Sequence, residues 1–433
     1  MNRFRSRRRF LARSLGCVGF AAGTPALLGD LCYGARAPEE RRRMGSIGVG
    51  GQGYFLLKNA CTMADLVAVA DVDQGHAARA AELDEGKIAV FSDYRRLLDR
   101  TDIDIVVIAT PDHWHARTAI DAMRAGKDVY LEKPVALTIA EGQTLVRMAQ
   151  ATGRVVQIGT QQRSEYDLKF LQAAATVRSG QLGKLRRVTV SLPLTTMEGG
   201  PFRPQPVPEG LNWDFWQGQT PAVPYCPQRS HHDFRWWYAY SGGIVTDWGA
   251  HHLDIAQWAL DVENSGPVAI DGSRTRLAKL AGGFNTPREP RIEYRYADGV
   301  ELHLTTGNEF IRFEGDAGRI EVTRQRLEGE AIRRQANDAR LAEESQTWMA
   351  RLYGGRKPGS HFRNFLESVA TREPPVSSLP GQHRSTSACH LGNISCRLGR
   401  ALNWDPAREA FVGDEEAQGM LKRTQRLQYA VSD

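Results

Sequence analysis

Gly48-Val49-Gly50-Gly51-Gln52-Gly53 is the feature that most narrows what this chain can fold into. It is G-x-G-x-x-G, set directly after the apolar run Ser46–Val49 and before a helical pattern. The first glycine permits a tight turn, the second lets backbone amides approach a pyrophosphate, and the third lets helix and strand pack closely. The helix that follows adds partial positive charge at its N-terminus. A glycine-rich turn alone is weak evidence, but Asp71 closes the next apolar run, Leu66–Ala70, 23 residues after Gly48. A carboxylate there accepts both ribose hydroxyls of NAD and repels the 2′-phosphate of NADP. Gly48, Gly50, Gly51, Gln52, Gly53 and Asp71 are therefore the expected dinucleotide contacts, with NAD favoured.

The surrounding pattern agrees. Further apolar runs, Ile103–Ala109, Val129–Leu131 and Val155–Ile158, alternate with helical stretches such as Thr118–Ala125 and Ile139–Ala151, the latter closed by Gly153. That alternation predicts a parallel, doubly wound sheet covered on both faces. After a helix near Tyr166–Ser179 and a strand around Leu185–Leu192 the pattern changes, and residues 193–243 are loop-rich and crowded with Trp, Tyr and His. Strand pairs follow, Ile292–Tyr296 with Val300–Thr305 around Asp298-Gly299, and Phe310–Glu314 with Arg319–Thr323 around Asp316-Ala317-Gly318. Helices are expected near His361–Ala370 and Arg384–Leu402. The fold class is α/β: an N-terminal Rossmann domain, residues 38–160, and a C-terminal α+β domain, residues 161–433, with a large, mostly antiparallel, open-faced sheet.

The formal net charge of +6 among 433 residues raises the question of a nucleic-acid or membrane surface. Its location answers it. Residues 1–37 hold seven arginines against the single acid Asp30, which accounts for the whole excess, and the chain from Pro38 onward is balanced. The segment reads as a secretory signal, with an Arg-rich start, an apolar stretch Leu15–Leu28 and the A-x-A pattern Ala35-Arg36-Ala37. Ser6-Arg7-Arg8-Arg9-Phe10-Leu11 fits the twin-arginine pattern, a route that carries folded proteins. The expectation is a periplasmic or secreted protein with no membrane or nucleic-acid partner once the signal is removed. Cys61, Cys226, Cys389 and Cys396 remain after the leader, include no CxxC, and demand no disulfide.

Two further motifs carry chemistry. Glu132-Lys133-Pro134 follows the run Val129–Leu131, so it lies at a strand's C-terminal end, where open α/β sheets bind ligands. Its lysine either holds a hydroxyl or alkoxide beside a nicotinamide or is a solvated loop residue. In Ser241-Gly242-Gly243-Ile244-Val245-Thr246-Asp247-Trp248-Gly249-Ala250-His251-His252, Thr246 reads as a helix N-cap, and Asp247 and His251 are spaced to share one helix face. That pair reads either as a carboxylate orienting a basic imidazole or as a helix-start acid beside a core histidine. His113-Trp114-His115 and His231-His232-Asp233 have partial metal-ligand character, but no cysteine or acidic cluster completes a site, so no metal is expected. Arg229, His232, Arg235, Trp236 and Tyr238 precede the Asp247 motif, and Arg163 follows the last Rossmann strand; each is read as a substrate contact or as core. His252 competes with His251 for the place facing substrate.

The order of these pieces, joined by Ala109-Thr110-Pro111 with His115, resembles the glucose–fructose oxidoreductase/inositol dehydrogenase/rhizopine catabolism (Gfo/Idh/MocA) family from about Arg43 to the C-terminus. Asn212-Trp213-Asp214-Phe215-Trp216 and Asn403-Trp404-Asp405-Pro406 look like its exported bacterial branch. The resemblance implies that Thr110, Pro111, His115, Glu132 and Lys133 border the cofactor, that Lys133–Pro134 is cis, and that Lys133, Asp247 and His251 are catalytic. The expected function is oxidation of a sugar or glycoside hydroxyl: His251 takes the proton, Lys133 steadies the alkoxide, Asp247 orients His251, and NAD⁺ accepts hydride. Because free NAD is scarce outside the cytoplasm, export implies a tightly held cofactor recycled on the enzyme. One route oxidises one sugar and reduces another; the other is a redox-neutral glycosidase that oxidises, eliminates and re-reduces. A non-catalytic sugar-binding protein is the remaining alternative, against which the presence of Lys133, Asp247 and His251 all count. A homo-oligomer, dimer or tetramer, is expected from the open sheet face.

Overall fold

The computed structural model describes residues 41–84, 87–194, 199–277 and 280–432. The proposed signal, residues 1–37, lies outside the described residues.

Short β-branched runs, buried on both faces, build the first sheet. Its strands are β1 (Arg43–Ile47), β2 (Asp65–Ala70), β3 (Ala89–Phe91), β4 (Ile105–Ile108), β5 (Asp128–Leu131) and β6 (Val156–Ile158). They lie in the order β3-β2-β1-β4-β5-β6, all parallel. The order reverses between β1 and β4, and the glycine turn after β1 opens at that switch point, where a doubly wound sheet takes its ligand. β3 was not anticipated: three residues leave too little apolar run to read.

The second sheet has nine strands: β7 (Leu185–Pro193), β8 (Ala269–Asp271), β9 (Ile292–Arg295), β10 (Glu301–Gly307), β11 (Phe310–Gly315), β12 (Gly318–Val322), β13 (Leu327–Gly329), β14 (Ala401–Asp405) and β15 (Ala410–Phe411). Their order is β13-β12-β11-β7-β10-β9-β8-β14-β15, antiparallel throughout except β7 beside β10. The long chain between β7 and β10 makes that parallel pairing possible. Alternation sorts the two faces. Val188, Val190, Leu302, Leu304, Ile311, Phe313, Ile320 and Val322 are buried inward, while Arg187, Glu301, His303, Arg312 and Glu321 face outward.

The helix Leu379–Leu398 is buried along most of its length and ties the two sheets together. It begins earlier than expected and stops at Gly399, whose φ of +64° supplies the left-handed C-cap, so residues 401–405 form β14 instead of continuing the helix. From this helix His390 Nε2 lies 2.9 Å from the Ala136 carbonyl, beyond the Glu-Lys-Pro turn, and Asn393 donates to the Gly242 carbonyl at 2.9 Å. One rigid element therefore fixes the spacing of the two motif loops. Among the described residues no helix is long and apolar enough to cross a membrane, and Cys61, Cys226, Cys389 and Cys396 are unpaired.

Candidate active site

A cavity of about 1190 Å³ runs from the glycine turn to the Asp247 motif. At its nucleotide end Gly48 has φ +78°, and a Cβ on it would stand 2.7 Å from the Thr110 amide nitrogen. A Cβ on Gly53 would stand 2.0 Å from the Gly48 carbonyl oxygen, so the helix Gly51–Ala60 packs this closely only because Gly53 is bare. Gly48, Gly50, Gly51 and Gln52 line the cavity, whereas Gly53 is buried beneath it. Asp71 accepts from Val49 N at 2.8 Å and Asp73 N at 2.9 Å, which fixes its carboxylate at the cavity wall with lone pairs remaining for a ribose. Bare glycines below, free amides at a helix start and a carboxylate at the second strand's end together fit NAD.

Thr110, Pro111, His115, Glu132 and Lys133 also line this cavity. Thr110 Oγ1 is buried without a hydrogen-bond partner, consistent with a hydroxyl reserved for a ligand. His115 acts on the backbone: its Nδ1 lies 2.6 Å from the Pro134 carbonyl and its Nε2 2.9 Å from the Thr110 carbonyl. It braces the two loops that flank the cavity. Glu132 accepts from Gln161 Nε2 at 2.9 Å, and burial pushes its carboxyl upward. The Lys133–Pro134 bond is cis, as the family resemblance implies.

At the far end Lys133 Nζ donates to Asp247 Oδ1 at 2.5 Å and to the Asp247 carbonyl at 3.1 Å, with Arg235 Nε 3.8 Å from the same carboxylate. Burial would raise the Asp247 pKa, but Lys133 and Arg235 prevail and hold it well below the usual carboxylate range. His251 lines the cavity beside this pair, its Nδ1 buried without a partner. Burial, then the charges of Lys133 and Arg324, push its pKa well below the ordinary histidine value, so the ring is neutral near pH 7. The hydrogen bonds of Asp247 thus run to Lys133, so its expected orienting role passes from His251 to the lysine. Thr246 is not the N-cap of this helix. The turn opens at Gly243, φ +69°, with Thr246 Oγ1 accepting from Gly242 N at 2.9 Å.

The structure separates the expected substrate contacts. Arg235 and His232 reach the cavity. Arg163 does not: it is 2% exposed, bonds Asp254, Glu263 and the Val376 carbonyl, and lies over the Trp258 ring. His252 is fully buried with Nε2 3.3 Å from Glu309, which leaves His251 as the imidazole on the cavity. Arg229 stacks on Trp237, Trp236 is core, and Tyr238 lies between Arg397 and Arg423; none of the three lines the cavity. Sequence pattern does not reveal which side of the irregular 193–243 stretch faces inward, as Arg229, Trp236 and Tyr238 show, nor which of two adjacent helical histidines meets the cavity. Arg163 is drawn away by Asp254 and Glu263.

Other residues were missed. Asp112, fully enclosed, accepts from Ser241 Oγ at 2.5 Å, and burial raises its pKa. Arg324, Trp248 and Tyr166 line the catalytic end. Asp73, His76 and His231 bring donor atoms within 4.8 Å of one another, a set that could hold a divalent ion. It joins His231 to two residues far earlier in the chain, so the local cluster His231-His232-Asp233 could not reveal it.

Two family profiles match the chain: residues 42–160 match the oxidoreductase family's NAD-binding Rossmann fold, and residues 197–431 match its C-terminal alpha/beta domain. The chain belongs to the Gfo/Idh/MocA oxidoreductase family. A glycosyl hydrolase family 109 protein of Shewanella sp. strain ANA-3 is 37% identical over 169 residues, 36% of each chain. The alpha-N-acetylgalactosaminidase of Shewanella oneidensis is 36% identical over 168 residues, again 36% of each. The alignment thus spans about a third of the length of these curated relatives. Among solved structures, the WlbA dehydrogenase of Chromobacterium violaceum, in complex with NADH and UDP-GlcNAcA, superposes with TM-score 0.62 at 18% identity, covering 85% of this chain and 97% of its own. That likeness concerns the fold. As a Gfo/Idh/MocA protein the chain is an NAD-binding enzyme whose Gly48–Gly53 turn and Asp71 occupy the dinucleotide end of the cavity.

Proposed function

We propose that this protein oxidises a hydroxyl of a sugar or glycoside with an NAD that it retains and recycles. The observation that carries this reading is the Lys133–Asp247 ion pair, 2.5 Å, standing with His251 in the same cavity as the glycine turn. NAD, when bound, supplies the hydride-accepting ring. His251, neutral and at the cavity wall, receives the hydroxyl proton. Lys133 presents its remaining N–H to the oxygen on which negative charge develops, and the ionised Asp247 keeps the ammonium in place. The bare glycines would hold the dinucleotide, and His115 holds the two loops against which the nicotinamide and the substrate would meet. The Arg-rich leader supports export by the twin-arginine route, which lets the folded protein carry its NAD outward, into the periplasm or beyond.

A second reading has its own support. The two Shewanella relatives carry glycosidase names, so the same transient oxidation followed by elimination of an aglycone, addition of water to the resulting double bond and re-reduction is the redox-neutral form of this activity. Incubating the purified protein with a glycoside panel, no nucleotide added, separates the two. Keto product matched by a reduced second sugar supports the oxidoreductase. Released aglycone without keto product supports the glycosidase. No change in any substrate rejects both.

A further inference from the structure

Three cations stand at the catalytic end of the cavity, and one of them makes no ion pair among the described residues. Lys133 and Arg235 share Asp247 at 2.5 and 3.8 Å. Arg324, in the turn after β12, makes no ion pair among the described residues, and its Nε is buried without a hydrogen-bond partner. Its guanidinium carbon lies 4.3 Å from the Trp248 ring centroid and 4.9 Å from that of Tyr166, and all three side chains line the cavity. Trp248 sits in sequence between Asp247 and His251, so this guanidinium is next to the reacting groups. Of the acids nearby, Glu309 lies 3.3 Å from His252 and interacts with Arg324 through charge and the Arg324 backbone amide, without forming an ion pair with its guanidinium. Glu165 Oε1 accepts from His361 N at 2.8 Å.

Leaving a buried donor unmet is unfavourable, and an arginine held against aromatic faces keeps its N–H edge free for a planar, doubly accepting partner. A sugar hydroxyl would satisfy one N–H and leave the guanidinium without an ion pair, whereas a carboxylate satisfies both the donors and the ion pair. We propose that Arg324 recognises a carboxylate on the substrate, so that the sugar oxidised here is a uronic acid or a uronate-bearing glycoside. This rests on the oxidoreductase reading for turnover, but the recognition itself does not.

The test pairs galacturonate with galactose and glucuronate with glucose on the protein purified with its own nucleotide. Binding is read by tryptophan fluorescence, since Trp248 touches Arg324, and turnover by the absorbance of reduced nicotinamide. Each uronate is expected to bind about 10- to 100-fold tighter than its neutral partner. Arg324→Gln should abolish that ratio, and raise KM more than it lowers kcat, while Arg324→Lys restores part of it. Equal binding of acid and neutral sugars, or an unchanged ratio in Arg324→Gln, overturns the proposal. Arg324-dependent uronate binding without any nicotinamide reduction would leave this inference standing and reject the oxidoreductase reading.

Discussion

Lys133 reaches the site because β5 ends at Leu131 and the turn that follows aims its side chain along the sheet's C-terminal edge. Its partner Asp247 comes from a loop more than a hundred residues later, and the pair exists only in the fold. Lys133→Ala removes the donor proposed to steady the developing alkoxide and leaves Asp247 without its main partner. Steady-state assay should show kcat lower by about 10²- to 10⁴-fold, with nucleotide content at the wild-type level. His251 must be neutral to accept a proton. Burial and the charges of Lys133 and Arg324 depress its pKa, so protonation, and with it loss of activity, is confined to pH well below 6.5. A pH profile of kcat/KM on the intact protein should therefore stay flat from neutral pH to below 6.5; an acid limb above 6.5 would show that His251 is not the base. Lys133, Asp247 and His251 could be read from the sequence because each sits in a linear motif whose order along the chain is itself informative. Arg324 could not, since nothing around it but a strand end marks it.

At the scale of elements, Arg163 shows what packing decides and periodicity does not. It follows β6, where a ligand contact was a fair expectation, yet its guanidinium anchors the helix Gly249–Leu260 through Asp254, which also takes Gln382 at 2.7 Å and Ser385 at 3.0 Å from the helix Leu379–Leu398. Arg163→Met would leave Asp254 buried with its charge uncompensated. Thermal or urea unfolding should register a loss of about 3–5 kcal/mol, while KM of the folded fraction stays near wild type; a specific rise in KM would return Arg163 to the substrate. The Rossmann strands other than β3 are legible as apolar runs, because burial on both faces forces that composition, whereas β3 is partly exposed. The two-residue and three-residue strands β3, β8, β13 and β15 are not legible, and neither are the helices Glu330–Asn337 and Ala339–Leu352. Strands that short carry no readable alternation.

For the molecule as a whole, one property links leader, cavity and chemistry. The basic charge lies in residues 1–37 and the remainder is balanced, in keeping with the proposal that the charge is an export address and not a binding surface. If the protein is exported with its fold complete, as proposed, it has use for a cofactor it never releases, and the glycine turn, Asp71 and the cavity walls fit NAD. The central claim is that the nucleotide stays with the chain through purification. Denaturing protein purified without added nucleotide, and identifying what is released, tests it directly: about one NAD per chain is the result expected here, and protein that releases no nucleotide, or releases NADP, would contradict it.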